Sequence, residues 1–174
     1  MTKKIIHLPI ETDRTSIMNF QKEDITKEYI GWLNNRDLMR YSNQRFITHT
    51  ELSSLEYVNS FEGTNNVLAK IIEKDSSLLI GTLTCYFDNN HKVADIGLLI
   101  GKQSRGFGSE VFNKITTVLK QTKNVRKITS GTIVRNHAMV RIIENAGLTL
   151  ECIKPRQEII DNQETDIHYY ALYR

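Results

Sequence analysis

Two glycines carry the first chemical signal. In QSRGFGSEVF, Gln103 to Phe112, Gly106 and Gly108 flank a phenylalanine and follow an arginine. The Arg-Gly-Phe-Gly core matches the start of the octapeptide with which RNA-recognition domains stack bases. Read from Gln103, the same stretch is a glycine loop opening a helix, an arrangement that holds phosphate. The first chemistry needs a β-strand with aromatics on one face. Past Gly108 the chain offers Ser109 and Glu110 where an aromatic and a β-branched residue are required. Val111, Ile115, Val118 and Leu119 then recur at helical spacing. The residues favour an anion at a helix mouth, where first-turn N–H groups have no internal partner and the dipole is positive. Arg105 adds a formal charge, and the glycines let backbone approach a ligand. A tight strand-to-helix turn with no ligand is the plain alternative from the pattern alone. The loop lacks the Gly-Lys-Ser/Thr of a Walker loop and the third glycine of a dinucleotide fingerprint.

Such a loop needs a strand before it and a helix after it, and the chain supplies both. KVADIGLLIG is a strand-like run leading to the glycines, and GFGSEVFNKITTVLKQ is helical. NVLAKIIEK and SLLIGTLTCYF read as two earlier strands, divided by the turn residues KDSS and DNNH, so the three runs form an antiparallel meander. Upstream, TDRTSIMNF is a first strand. KEDITKEYIGWLNN is a helix with Asp24 near its start, and RDLMRYS a short second one. THTELSSLEYVNSF is a third, capped by Thr48 or Thr50, with Leu52, Leu55, Val58 and Phe61 on one face. Downstream come the strand RKITSGTIV, the helix NHAMVRIIENAGL with Gly147 as its C-cap, and two strands joined by DNQE. The predicted order is β, helices, βββ, α, β, α, ββ: an α/β chain with a mixed sheet and one parallel crossover.

Composition sets the frame for these elements. At 174 residues the chain is read as a single domain spanning 1–174, long enough to bury a core without staples. The net charge of +3 is spread, with no run of five like charges, so neither nucleic acid nor membrane is called for as a partner. No apolar run approaches a membrane span, and the N-terminal MTKKIIHLPI is too broken for a signal sequence. Cys85 and Cys152 lack metal or redox spacing and are expected as small buried hydrophobes. The expected compartment is the cytoplasm, with no metal cofactor.

The segment from Ala94 to Leu148 resembles the core of the GNAT N-acetyltransferase superfamily. Its acetyl-CoA signature, Gln/Arg-x-x-Gly-x-Gly/Ala, is filled by Gln103, Gly106 and Gly108; Asn136 and Gly147 bound a helix at the usual spacing, and LLIGTLTCYF is similar to the family's third strand. The resemblance implies the GNAT fold, in which the fourth and fifth strands splay apart and take the pantetheine of acetyl-CoA between them. Backbone groups of Leu98, Leu99 and Ile100 would bond the pantetheine. The loop Gln103, Ser104, Arg105, Gly106, Phe107, Gly108 and Ser109 would hold the pyrophosphate, and Asn136 would touch the cofactor from the other side. WLN…RYS…HT is similar to branches acting on amino sugars or on ribosomal-protein N-termini, the first being favoured. Two departures stand out: only Gly101 and Lys102 separate Ile100 from Gln103, and Ile143 occupies the place where many relatives carry a tyrosine general acid.

Acyl transfer to an amine needs a base, a donor for the developing oxyanion and a proton for the leaving thiolate. On the resemblance, Asp95 in ADIG is the first candidate base, and a strand amide near Leu98 or Leu99 the oxyanion donor. His49 is the second candidate base, in the helical region that should roof the acceptor, with an imidazole suited to proton transfer near neutrality. Tyr169 or Tyr170 is the candidate acid. Trp32, Arg45, Phe46 and Tyr86 are candidates for holding the acceptor, by stacking and by charge-assisted bonds to phosphate. Each has a bland reading as well: core packing for Trp32, a solvated charge for Arg45, an edge carboxylate for Asp95. The expected reaction is acetyl transfer from acetyl-CoA to a small-molecule primary amine or a peptide N-terminus. A non-catalytic acyl-CoA-binding module is the rival, kept by Ile143, and a homodimer is left open.

Overall fold

The computed structural model describes residues 4–101 and 106–174. Among them eight strands form one sheet in the order β1-β2-β3-β4-β5-β6-β8-β7. They are β1 (Ile10–Glu11), β2 (Thr15–Asn19), β3 (Val67–Glu73), β4 (Leu79–Asp88), β5 (Val93–Ile100), β6 (Lys127–Ile133), β7 (Thr149–Ile160) and β8 (Gln163–Tyr173). The helices are α1 (Lys27–Asn34), α2 (Glu51–Asn59), α3 (Phe107–Gln121) and α4 (His137–Asn145). The predicted order holds, with two-residue β1 added in front, so the family's fourth and fifth strands are β5 and β6. Only β5 and β6 run parallel, joined by the α3 crossover; every other pair is antiparallel.

Alternation along β5 divides the molecule. Ala94, Ile96, Leu98 and Ile100 pack into the main core with Val111, Phe112, Ile115 and Leu119 of α3 and Ile143 of α4. The opposite face carries Asp95, Gly97 and Leu99. There a smaller cluster of Phe20, Tyr29, Val58, Phe61 and Leu68 seats α1 and α2 toward the β3–β4 end. That leaves the β5–β6–β8 part of this face for a site.

The local departures from the sequence reading have local causes. Lys22–Asp24 is a 3-10 turn closed by reciprocal bonds between Gln21 and Asp24, so α1 starts later, capped by the Thr26 hydroxyl accepting from the Tyr29 N–H. RDLMRYS is not a helix. Asn35 Oδ1 accepts from the N–H groups of Asp37 and Leu38 at 3.0 Å each, a side-chain turn that competes with helical bonding. A 3-10 turn, Asn43–Phe46, follows. Thr50 caps α2 as expected, but the helix is rotated so that Ser54 and Val58 are buried while Leu52 is 66% exposed. Cys85 is buried, whereas Cys152 is exposed because β7 is an edge strand. Gly147 ends α4 at φ +85°, its N–H donating to the Glu144 carbonyl and the next N–H to that of Ile143.

Candidate active site

The parallel pair β5/β6 holds together for only three residues: Val93 with Lys127, Ala94 with Ile128 and Asp95 with Thr129. Beyond that, β5 stays with β4 up to the Ile100–Gly81 pair and β6 stays with β8 up to Ile133–Ile167, so the two diverge. At the vertex the buried Ser130 hydroxyl donates to the Ile96 carbonyl at 2.9 Å, satisfying the first group the ladder abandons. Which groups line the opening follows from the β4 register. The Gly101 N–H donates to the Ile80 carbonyl, and hydrogen-bonded pairs alternate along an antiparallel ladder. Leu99, Gly97 and Asp95 therefore turn their amides to β4, while Leu98 and Ile100 turn theirs into the wedge. This corrects the expectation for Leu99, whose backbone belongs to the ladder opposite Thr82.

At the open end of the wedge, Gly106 caps α3 with φ +75°, a conformation costly for any side chain, and among the described residues an added Cβ would meet the Arg14 guanidinium at 3.8 Å. Gly108 is small for another reason: a Cβ there would sit 3.0 Å from Ile142 Cδ1 and 3.5 Å from Leu98 Cδ2. The first-turn amides of Phe107, Gly108 and Ser109 follow, and Glu110 N–H is already bonded to the Gly106 carbonyl at 3.2 Å. Gln103, Ser104 and Arg105 lie outside the described residues. Asn136 caps α4, Oδ1 accepting from the Met139 N–H at 3.3 Å. Ile143 is fully buried in the main core and can carry no proton. A splayed pair with unladdered amides, leading to an N-terminal helix cradle, fits the pantetheine and diphosphate of CoA.

On the α1/α2 face, a cleft of about 270 Å³ opens against the wedge, floored by Asp95, Gly131 and Thr132 and walled by Tyr41, Tyr169 and Glu158. Asn43, Ile133 and Ile167 complete its lining. Burial pushes the Asp95 carboxyl up from its ordinary value, and the bond from Thr129 Oγ1, at 2.6 Å, pulls partly the other way. Tyr169 lies on bare β6 backbone: a Cβ on Gly131 would approach its Cε1 to 2.9 Å. Lys154 Nζ sits 4.9 Å from the centre of the same ring. Tyr170, one residue on, faces the core at 2% exposure, so of these two neighbours strand alternation turns only Tyr169 to the cleft.

The remaining candidates divide. Arg45 is engaged inside the protein. Its Nη2 pairs with Glu158 Oε2 at 3.2 Å and donates to the Ile159 carbonyl, its Nη1 donates to the Ser42 carbonyl, and the guanidinium stacks on Phe46 at 4.1 Å. With Arg45 and Glu158 side chains only 12% and 13% exposed, Arg45 fixes a wall of the cleft rather than greeting a phosphate. Phe46, 73% exposed, lies under that cation and outside the lining. His49 is held in the α1–α2 joint by two 2.8 Å bonds between its backbone and the Asn34 amide, and among the described residues it lines no part of the cleft. Trp32 packs against Gly101, where a Cβ would fall 2.2 Å from the ring, at the top of β5 and away from the lining. Tyr86, directly across from Asp95 on β4, shares its face and is bonded to the Tyr57 hydroxyl at 2.9 Å, flanking the cleft. Of the lining residues the sequence reading named only Asp95 and Tyr169; Tyr41, Asn43, Thr132 and Glu158 are among those it missed. Tyr41 sat in a stretch read as helix, Asn43 lies just past the end of that stretch, and nothing around Glu158 distinguishes it from other charges on an edge strand.

The chain matches the family description "Acetyltransferase (GNAT) domain" over residues 14–149. It belongs to the GNAT acetyltransferase family and is an N-acetyltransferase, with acetyl-CoA as the acyl donor. Solved structures agree on the fold. A GNAT-family acetyltransferase from Bacillus anthracis superposes with a TM-score of 0.80 at 20% identity, covering 95% of this chain and 98% of the other. A spermidine N-acetyltransferase from Vibrio cholerae, in complex with CoA and spermine, gives 0.80 at 18% identity, covering 92% and 95%. A Salmonella typhimurium acetyl transferase that modifies the N-terminal serine of ribosomal protein L7/L12 gives 0.77 at 15%, covering 94% and 96%. No curated protein sequence matches the chain.

Proposed function

We propose that this acetyltransferase modifies the primary amine of a small, hydroxyl-rich acceptor, an amino sugar or its nucleotide. The observation that carries the reading is the half-buried Asp95 at the vertex of the wedge, in a cleft that it shares with the polar side chains of Tyr41, Asn43, Thr132, Glu158 and Tyr169. At about 270 Å³ the cleft is at the small end of ligand pockets, which run roughly 300–1,000 Å³. Tyr41, Asn43, Thr132, Glu158 and Tyr169 offer donors and acceptors suited to hydroxyls, and only Ile133 and Ile167 offer aliphatic surface of the kind a polyamine's methylenes need.

Bound acetyl-CoA supplies an activated acyl thioester. Asp95 takes the proton of the acceptor ammonium, directly or through a water, and its raised pKa makes it a better base than an exposed carboxylate. The wedge-facing N–H of Leu98 donates to the carbonyl oxygen as negative charge develops. Tyr169 gives its hydroxyl proton to the departing sulfur, the role Ile143 cannot fill, and regains one from the second proton that the acceptor nitrogen loses as the amide forms. The related structures described as acting on spermidine and on a protein N-terminal serine also modify amines, which supports the reaction but not the acceptor.

The test is thiol release from acetyl-CoA with three acceptor sets: amino sugars and their nucleotides, spermidine, and peptides beginning with serine. Turnover confined to the first is expected. Turnover confined to the peptides would replace this reading with protein N-terminal acetylation.

A further inference from the structure

The mouth of α3 carries an ion pair that the acyl-transfer chemistry does not use. Arg14, just before β2, gives its backbone N–H to Glu110 Oε1 at 2.9 Å and its Nε to Glu110 Oε2 at 2.6 Å, with Nη2 also 2.6 Å from Oε2. Its guanidinium lies over the Phe107 ring at 4.6 Å, and Nη2 comes within 3.8 Å of where a Gly106 Cβ would be. The cation thus sits on the first residues of the helix that opens toward the cofactor.

Glu110 makes the arrangement informative. Burial works against its ionisation, but hydrogen bonds from the Thr12 side chain and from Arg14 outweigh that and hold its carboxyl below the usual range. A full negative charge therefore stands one turn inside a helix whose N-terminus must receive a diphosphate, and it repels that ligand. A neutralising partner of unchangeable charge offsets the repulsion, and arginine is such a group.

We propose that Arg14 and Glu110 form a charge-balanced pair that sets affinity for the diphosphate of CoA, Arg14 raising it and Glu110 lowering it. Arg14 is here a positioning and electrostatic residue at the cofactor mouth. The proposal depends on the acetyl-CoA assignment and is independent of the acceptor. It differs from a merely structural role in one sign: a structural pair is weakened alike by losing either half, whereas a charge-balanced pair responds oppositely to the two losses.

The experiment is calorimetric titration of the purified chain with CoA and, separately, with S-acetylpantetheine, which has no diphosphate. Arg14→Gln should weaken CoA binding by about tenfold, Glu110→Gln should tighten it several-fold, and the double variant should fall between them. Arg14→Lys, which keeps the charge without the fork, should recover most of the affinity. The gap between the single variants should narrow as salt rises from about 0.05 to 0.5 M. S-acetylpantetheine should bind all forms alike. Shifts of the same sign in both single variants, no shift in either, or a matching loss with S-acetylpantetheine would each overturn the proposal. Thermal melts of every variant separate these outcomes from misfolding.

Discussion

A carboxylate that must take a proton from an ammonium group is more useful half-buried than exposed, and Asp95 has that setting. Its folded pKa lies above the ordinary value because burial disfavours the charge, with the Thr129 hydroxyl opposing. Asp95→Asn should lower turnover by about 100-fold or more while leaving CoA affinity unchanged. The linkage carries a sign that can be checked separately. With the folded pKa raised, the native state binds the proton more tightly, so stability falls as pH rises from below the unfolded value through the folded one. Asn abolishes that loss, so the variant should melt higher than the parent at neutral pH, by ~2–4 °C for each kcal/mol recovered. Thr129→Val removes the one bond favouring the ionised form and should move the acid limb of the rate profile to higher pH. Asp95 was singled out on the resemblance, from its place in ADIG ahead of the glycine loop. Its shifted pKa was not legible, since that balances burial in a cleft assembled from distant segments against a bond from Thr129, thirty-four positions away.

Strand and helix identities were read correctly wherever alternation or helical spacing ran unbroken, as in β3 to β5 and α3. They failed where a single polar side chain intervened: Asn35 turning the chain toward Asp37 and Leu38, Gln21 and Asp24 closing a turn ahead of α1. The splay of β5 from β6 was legible only through resemblance, because both strands carry ordinary apolar patterns on either side of the vertex. What marks the vertex physically is Ser130, fully buried and bonded to the Ile96 carbonyl. Ser130→Ala should leave that carbonyl without its partner in a water-poor position and cost about 1–2 kcal/mol in denaturant unfolding. Because the vertex fixes where the Leu98 and Ile100 amides begin to face the wedge, CoA affinity should fall as well. Wild-type affinity in the Ala variant would show that the strands separate without that bond.

The acceptor cleft belongs to no single element. Its floor is the sheet, while its walls come from the chain between α1 and α2 and from the β7–β8 hairpin, two segments more than a hundred positions apart. They are tied by Arg40 to Asp161 at the hairpin turn, and by Arg45 and Asn43 to Glu158 further down β7. β7 offers its outer edge to little else, interrupted as it is by Pro155 and by register shifts after Leu150 and Lys154. The two ties are unequal. Arg40 and Asp161 are about half exposed, so Asp161→Ala should leave both stability and kinetics near wild type. Arg45 and Glu158 are nearly enclosed, and Glu158→Ala strands a guanidinium there at a cost of about 3 kcal/mol. Replacing the pair together, as Arg45→Met with Glu158→Leu, should return most of that stability, because the stranded charge is gone. It should not return the acceptor KM if, as proposed, Glu158 and the wall it aligns are the polar surface the acceptor meets. CoA affinity should stay constant throughout, since neither residue lines the wedge. A double variant with restored stability and a restored KM would mean that the pair only holds the two segments together and that acceptor recognition lies elsewhere in the cleft.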